Sequence, residues 1–320
     1  MTTTADRLPE AAEASQMVSA HHGGLWRDTL RALLRQRSAI VGLTILTFLF
    51  LIALLADVIA PYDTRLSMLD LGQDVSRQRP DTLAPCVHLL GCPAERPEHL
   101  FGLDGNVRDT FSRVVHGSRI SLYIGFVTVG FAIVIGSILG AIAGYAGGRT
   151  DNVIMRAMDV VLSFPSLLLA IVIVTVLGPG LLNAQIAIGV VAIPIYARVM
   201  RASVLSIRER DFVTASRALG ESATGLLTRR IVPNAITPLI VQGTLGIGGA
   251  ILEVAALSFI GLGAQPPTAE WGSMIAIDRT LLTVAPHLIL FPGIAITLTV
   301  LGFNLLGDGL RDALDPRLNR

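Results

Sequence analysis

Residues 212–234 read FVTASRALGESATGLLTRRIVPN, a polar, arginine-containing stretch between two long apolar runs. The preceding run covers residues 181–200, and the following run covers 236–262. The hydrocarbon core of a bilayer is about 30 Å thick, and roughly 20 helical residues are needed to cross it. Both flanking runs meet that length, so residues 212–234 are predicted to form a water-exposed connection between two membrane spans.

The whole chain has the composition of a membrane protein. Of its 320 residues, 52% are hydrophobic and 15% are charged, and the mean hydropathy is +0.64. Soluble domains carry about 25% charged residues. Apolar runs of spanning length cover residues 39–60, 120–145, 153–177, 181–200, 236–262 and 281–306. Pro194 interrupts the fourth run, but membrane helices tolerate proline. We therefore predict an all-α membrane protein with six transmembrane helices.

The distribution of arginine predicts the orientation. All 25 basic residues are arginine, and 17 of them fall in segments that share a side with the N-terminus. Because cytoplasmic segments are enriched in basic residues, both termini are predicted to be cytoplasmic. The net charge of +1 gives no reason to expect a nucleic-acid partner.

The predicted spans divide the chain into five parts. Residues 1–38 form an N-terminal cytoplasmic segment, in which 25–37 are expected either to lie as a helix on the inner leaflet or to extend the first span. Residues 39–60 form the first span, which is too long for a cleaved signal peptide. Residues 61–119 form a large extracytoplasmic loop. Residues 120–310 form the transmembrane core, including a hairpin at 212–232, and 311–320 form a cytoplasmic tail.

Both cysteines of the chain lie in the predicted extracytoplasmic loop, within LAPCVHLLGCP. On that side a short-loop disulfide between Cys86 and Cys92 is chemically permitted. A metal site that adds His88 and His99 is an alternative, although its spacing fits no standard zinc pattern. Two free thiols are the third possibility.

Sequence motifs for catalysis are missing. The chain has no lysine and therefore no phosphate-binding loop of the Gly-x-x-x-x-Gly-Lys-Ser/Thr type, and it has no His-Glu-x-x-His or Gly-x-Ser-x-Gly. We expect no enzymatic activity, no metal and no cofactor in this chain. If nucleotide powers transport, another subunit must bind it.

The polar stretch is predicted to fold as two short helices. Gly220 is a natural helix terminator, Ser222 can cap a second helix, and Pro233 is expected to end that helix before the fifth span. A face of small residues would allow close approach by a partner, and Phe212 and Leu219 would supply apolar contacts. The alternative is a helix that lies on lipid headgroups.

This stretch resembles the cytoplasmic signature of ABC importer permeases, which is Glu-Ala-Ala, three residues, Gly, nine residues and Ile-x-Leu-Pro. Ala215, Gly220 and Pro233 match the signature. The departures are Thr214 for the glutamate, Ser216 for the second alanine, Arg230 for the isoleucine and Val232 for the leucine. The missing glutamate argues against a salt bridge at Thr214, but not against the hairpin.

Other stretches resemble the C-type permease subunit of the dipeptide, oligopeptide and nickel importers. HLFGLDGNVRDTFSRVVHGSRISL is similar to the branch's Gly-Thr-Asp-x-x-Gly-Arg-Asp segment, with matches at Gly102, Asp104, Arg108 and Asp109. The loss of a glycine at Val107 is expected to alter a turn. MRAMDVVLSFPSLLLAI, ALSFIGLG and the C-terminal NLLGDGLRDALDPRLNR also fit. The insert around residues 80–98 has no counterpart.

The resemblance implies the function and the partners. The chain would pair with a homologous second permease and form half of a translocation path for dipeptides or oligopeptides in the bacterial cytoplasmic (inner) membrane. Two ATPase subunits would bind ATP and Mg, and an extracytoplasmic substrate-binding protein would deliver the peptide. A nickel chelate, an oligosaccharide or another solute is the alternative substrate. A stand-alone secondary transporter is a less favoured alternative, since we find no inverted repeat.

The resemblance also implies sites. The residues expected to contact an ATPase are Phe212, Thr214, Ala215, Ser216, Leu219, Gly220 and Pro233. The residues expected to dock the binding protein are Asp104, Arg108, Asp109 and Trp271. For the first three of these, a self-contained turn held by an internal ion pair is the alternative.

Glu253 and Asp159 are acidic residues inside predicted spans, where charge is costly and marks a path or a pair. Glu253 is expected either to face the substrate path or to form a polar contact with another helix. Asp159 is expected to pair with Arg156, one helical turn earlier.

Overall fold

The computed structural model describes residues 33–73, 75 and 83–314. Most of the stretch 25–37 and residues 315–320 of the predicted tail lie outside this range. The helices are α1 (Arg37–Leu54), α2 (Ala56–Ile59), α3 (Thr110–Ala146), α4 (Gly148–Leu162), α5 (Ser166–Leu177), α6 (Leu181–Arg208), α7 (Asp211–Ala218), α8 (Ala223–Phe259), α9 (Trp271–Asp278) and α10 (His287–Leu314). Within the described ranges, strand-type pairing is limited to isolated bridges, so the predicted all-α architecture is confirmed.

Five of the described helices are long and apolar enough to cross a membrane alone, namely α1, α3, α6, α8 and α10. At 1.5 Å per residue, the 18 residues of α1 cover about 27 Å and the 37 residues of α3 about 55 Å. Several helices therefore extend beyond the predicted apolar runs, because the helical backbone continues through polar residues outside the hydrocarbon. The last predicted span, 281–306, instead begins at His287, after Pro286.

The third predicted span, 153–177, is broken. Helices α4 and α5 meet at 90°, and Pro165 lies at the break, where it disfavours helical backbone at Phe164. The 12 residues of α5 cover only about 18 Å, which is too short to cross the bilayer alone. Helix α4 carries four charged residues and buries no side chain. If the bent pair is counted as one broken span, the described residues contain six spans.

Helices α3 and α6 pack with their backbones in contact. Gly136, Gly140 and Gly144 recur every four residues on α3 and face α6. A Cβ atom at Gly136 would lie 2.7 Å from the carbonyl oxygen of Ile193, and one at Gly140 would collide with that of Ala197. Small residues at this spacing are typical of helix pairs in membranes, where van der Waals packing drives association. Helix α8 packs against both helices and against α10, which completes the core.

The segment between α2 and α3 is held by its own small core. Met68, Leu83, Leu103 and Val107 are each no more than 2% exposed and pack together. Val107 has a φ of 60°, which valine rarely adopts. The left-handed turn is therefore present even though the glycine is missing.

Candidate functional site

The hairpin begins with α7, which ends as the sequence predicts. Gly220 has a φ of +85°, and its N–H donates to the Arg217 carbonyl at 3.0 Å. The N–H of Glu221 donates to the Ser216 carbonyl at 3.2 Å. This pair of bonds is the Schellman motif, which a glycine in left-handed conformation completes. Ser222 then caps the next helix by accepting from the N–H of Gly225 at 3.2 Å.

The prediction that Pro233 ends the second short helix is wrong. Ala223–Phe259 is one continuous helix, so the hairpin leads directly into the fifth span. Proline has no N–H and its ring crowds the carbonyl four residues earlier. The backbone widens to a π-helical turn at Leu226–Ile231, with Val232 N–H donating to the Leu227 carbonyl, immediately before the proline. A widened turn of this kind relieves the clash without breaking the helix.

The hairpin has a buried side and an exposed side. Val213, Leu226 and Ile231 are at most 2% exposed and fix it to the body of the protein. Phe212 is 41% exposed and Leu219 is 88% exposed. The remaining predicted contact residues are also exposed, except Ser216, which is half-buried; they are Thr214, Ala215, Gly220 and Pro233. The hairpin is thus a fixed element that presents apolar and small side chains outwards.

Asp104 and Arg108 form an internal ion pair before α3. The Arg108 guanidinium donates from Nε to Asp104 Oδ2 at 2.9 Å, and the Arg113 guanidinium lies 3.3 Å from the same oxygen. Asp104 Oδ1 accepts from the N–H groups of Asn106 and Arg108. Asp104 is 2% exposed and Arg108 is 5% exposed. Their contacts are therefore those of the self-contained turn considered above.

Asp109 caps α3 and is also buried. Its Oδ2 accepts from the N–H and hydroxyl of Ser112, each at 2.7 Å. Its Oδ1 lies 2.9 Å from Nδ1 of His99, whose Nε2 lies 3.0 Å from Gln73 Oε1. These bonds join the segment before α3 to the start of the helix.

Helix α9 is anchored to the same region. Trp271 is 1% exposed, and its indole N–H donates to the Val114 carbonyl at 3.0 Å. Asp278, 3% exposed, accepts from the N–H of Gly105 at 2.8 Å. Burial, assisted by the nearby Asp104, raises the pKa of the Asp278 carboxyl to about 6. No local sequence pattern indicates this contact, since it joins residues 173 positions apart.

Cys86 and Cys92 form a disulfide with their Cα atoms 5.4 Å apart. The loop that it closes contains a turn at His88–Leu90 and projects Leu89, which is 94% exposed. Both sulfurs are used in the bond, so the considered metal site would have lost its thiolate ligands.

Glu253 and Asp159 have partners on other helices. Glu253 on α8 accepts from the Ser166 hydroxyl at the start of α5, at 3.4 Å. Asp159 pairs with Arg198 of α6 at 2.7 Å, so the expected pairing with Arg156 is wrong. Helices α4 and α6 pack against each other, and sequence spacing within one helix does not reveal that contact.

Comparison with known proteins gives two matching family models. Residues 136–320 match the binding-protein-dependent transport system inner membrane component, and residues 24–85 match the N-terminal TM domain of oligopeptide transport permease C. The first match covers more than half of the chain.

Curated relatives match over almost their whole length. The dipeptide transport system permease protein DppC of Alkalihalophilus pseudofirmus is 46% identical over 92% of this chain and 90% of its own. DppC of Haemophilus influenzae is 43% identical over 89% and 92%. A glutathione transport system permease protein GsiD of Escherichia coli is 41% identical over 92% and 91%.

A solved structure supports the fold alone. An inward-facing structure of the MetNI methionine ABC transporter aligns with a TM-score of 0.53 at 19% identity. The alignment covers 64% of this chain and 98% of the other.

Proposed function

The chain belongs to the inner-membrane permeases of binding-protein-dependent transport systems, in the C-type branch of the dipeptide and oligopeptide permeases, and we propose that it forms half of an ATP-driven import path for short peptides. Relatives that transport dipeptides and glutathione support a substrate of two or three residues. The chain is a membrane component of such a system and not its catalyst.

The observation that carries the proposal is the continuity of α8. Its 37 residues cover about 55 Å and join the exposed hairpin to the far end of the fifth span. A displacement of the hairpin would therefore be transmitted along α8 without an intervening loop. ATP-driven closure of an ATPase pair beneath the hairpin would thus change which side of the path is open.

Two ATPase subunits would supply the nucleotide chemistry, with ATP and Mg bound in those partners. One of them would hold the hairpin through Phe212 and Leu219, against the small residues Ala215 and Gly220. The exposure of these side chains and the buried anchor behind them support this assignment. The N- and C-termini would lie with the hairpin on the cytoplasmic side of the inner membrane.

A second permease would cover the open face of α8. A Cβ atom at Gly249 would meet no neighbour, Leu252 is 53% exposed, and Glu253 is incompletely buried. Because a carboxylate is costly against lipid, this face is better suited to a protein-lined path than to the bilayer. Glu253 would then line the path.

A substrate-binding protein would dock on the opposite side from the hairpin. The four residues predicted to dock it are buried, namely Asp104, Arg108, Asp109 and Trp271. They would therefore stabilise the conformation of the docking surface rather than contact the binding protein. Leu89, presented by the disulfide-closed loop, would offer an apolar contact there. The oxidising compartment required by the disulfide agrees with that side.

Reconstitution tests the proposal. Proteoliposomes that contain this chain, the second permease, both ATPases and the binding protein should accumulate a radiolabelled dipeptide only when ATP is supplied. Equilibration of the dipeptide by this chain alone, without ATP, would identify a stand-alone transporter and contradict the proposal.

A further inference from the structure

A small pocket lies where α8 ends and the segment after it turns towards α9. Its volume is about 240 Å³, and its wall includes Phe259, Ile260, Gln265 and Arg279. Pockets that enclose a whole drug-sized ligand measure about 300–1,000 Å³. This pocket is therefore of a size to receive one end of a small molecule rather than all of it.

The pocket carries one positive charge. Arg279 is exposed and follows the last residue of α9, and its guanidinium carbon lies 6.0 Å from the centre of the Phe259 ring. In the part of the chain that the structure describes, no carboxylate forms a salt bridge with Arg279. The C-terminal end of a helix favours a nearby cation without neutralising it.

The two acidic residues nearest to Arg279 in the sequence on its N-terminal side accept hydrogen bonds from other groups. Glu270 accepts from the backbone N–H groups of Gly272 and Ser273 at 2.9 and 2.8 Å, and it is only 1% exposed. Asp278 accepts from Gly105. The guanidinium of Arg279 is therefore available to an anion from outside the chain, and a carboxylate is its best-matched ligand.

Glu253 lies on the same side of α8 as the pocket wall. Ile260 follows Glu253 by seven residues, which is two helical turns, and the rise between them is about 10 Å. Ile260 is 49% exposed, and one carboxylate oxygen of Glu253 accepts from the Ser166 hydroxyl. Glu253 and the wall of the pocket that contains Arg279 thus lie about two helical turns apart along an exposed face of α8.

We propose that the Arg279 pocket binds the C-terminal carboxylate of the transported peptide while Glu253 receives its N-terminal ammonium group. An extended chain covers about 3.3–3.6 Å per residue, so two or three residues and the reach of both side chains fill the separation. Because Arg279 lies at the end of α8 remote from the hairpin, the peptide enters amino end first. This inference rests on the proposed function. It specifies which end of the peptide Arg279 and Glu253 each recognise.

Variants at Arg279 test the recognition. Loss of a charge-assisted hydrogen bond lowers the dipeptide uptake rate of Arg279→Gln by about tenfold or more, whereas Arg279→Lys retains most of it. The peptide affinity of the isolated binding protein, which does not contain the substituted chain, is measured separately as the reference. Arg65→Gln, which removes another exposed arginine, is the matched control. Wild-type uptake rates in both Arg279→Gln and Arg279→Glu overturn the inference.

Photo-cross-linking of the wild-type complex tests the orientation. A tripeptide with a benzophenone side chain at its C-terminal residue should label residues 258–279, and one with the group at its N-terminal residue should label the neighbourhood of Glu253 and Ser166. The reverse pattern, or the same pattern from both peptides, overturns the inference. Absence of ATP-dependent uptake by the wild-type complex would contradict the proposed function instead.

Discussion

Asp278 is a buried carboxyl that holds the turn before α3 to the end of α9. It faces Asp104, Arg108 and Arg113, and it accepts from the N–H of Gly105. Its raised pKa, about 6, means that the folded protein binds a proton more tightly than the unfolded chain does. The corresponding stability is fully present below about pH 4 and is lost as the pH rises through 6.

Asp278→Asn should remove this pH dependence. The amide oxygen can still accept from Gly105, but no charge is buried at neutral pH. The stability of the variant relative to the wild type should therefore rise between pH 4 and pH 7, by up to about 3 kcal/mol, since one pKa unit is about 1.4 kcal/mol. Thermal unfolding of the detergent-solubilised protein across this range measures the difference.

The same substitution at the exposed Asp63 is the control, because it removes a carboxylate without changing a buried charge. Parallel pH profiles for the wild type and Asp278→Asn would contradict the assignment.

At single residues, the sequence showed which positions match a family motif, but it did not show what their side chains contact. The match at Asp104, Arg108 and Asp109 was recognisable, but whether those side chains face a partner or each other depends on packing. The contact between Gly105 and Asp278 is set by the approach of two distant segments. Nothing in the local spacing of either residue encodes it.

At the level of elements, the lengths of the apolar runs predicted most of the long helices but not how the helices bend or join. Pro165 lies at a 90° break, whereas Pro194, Pro233 and Pro238 lie inside continuous helices. The difference arises because a helix keeps its course through proline when neighbouring helices or a π turn accommodate the lost bond. Those neighbours are known only from the packed structure.

The backbone contact between α3 and α6 predicts opposite effects for two glycine substitutions in one helix. Gly140→Ala places a Cβ against the carbonyl of Ala197 and should destabilise the protein by about 1–3 kcal/mol. Gly130→Ala meets no neighbour and should be neutral or stabilise by up to about 1 kcal/mol through helix propensity. Thermal unfolding measures both, and equal effects would contradict the close packing of α3 on α6.

In the whole molecule, the hairpin and the Arg279 pocket lie at the two ends of α8. The sequence predicted the hairpin, the spans and the family, since these follow from hydropathy, capping residues and motif matches. It did not predict that α8 is unbroken, because Pro233 is a usual helix terminator. Because α8 is unbroken, it would act as a lever that carries a movement of the hairpin directly into the fifth span.

A flexible break in α8 should uncouple the two ends. Insertion of two glycines after Asn234 interrupts α8. It leaves unchanged the buried residues that fix the hairpin and the residues of the fifth span that follow the insertion. ATP hydrolysis should persist while peptide uptake falls at least tenfold. Insertion of two glycines after Gly91, in the exposed disulfide loop, is the control for ATP hydrolysis. Full uptake after the α8 insertion would argue against the lever.

The most direct test identifies the protein that contacts the hairpin. Both native cysteines are in a disulfide, so Leu219→Cys introduces a single free thiol at an 88% exposed position. Leu89→Cys, at a 94% exposed position on the segment before α3, is its matched control. With a short bifunctional cross-linker in native membranes, Leu219→Cys should form an adduct with an ATPase subunit and Leu89→Cys should not. Failure of Leu219→Cys to cross-link to any ATPase would contradict the coupling role of the hairpin.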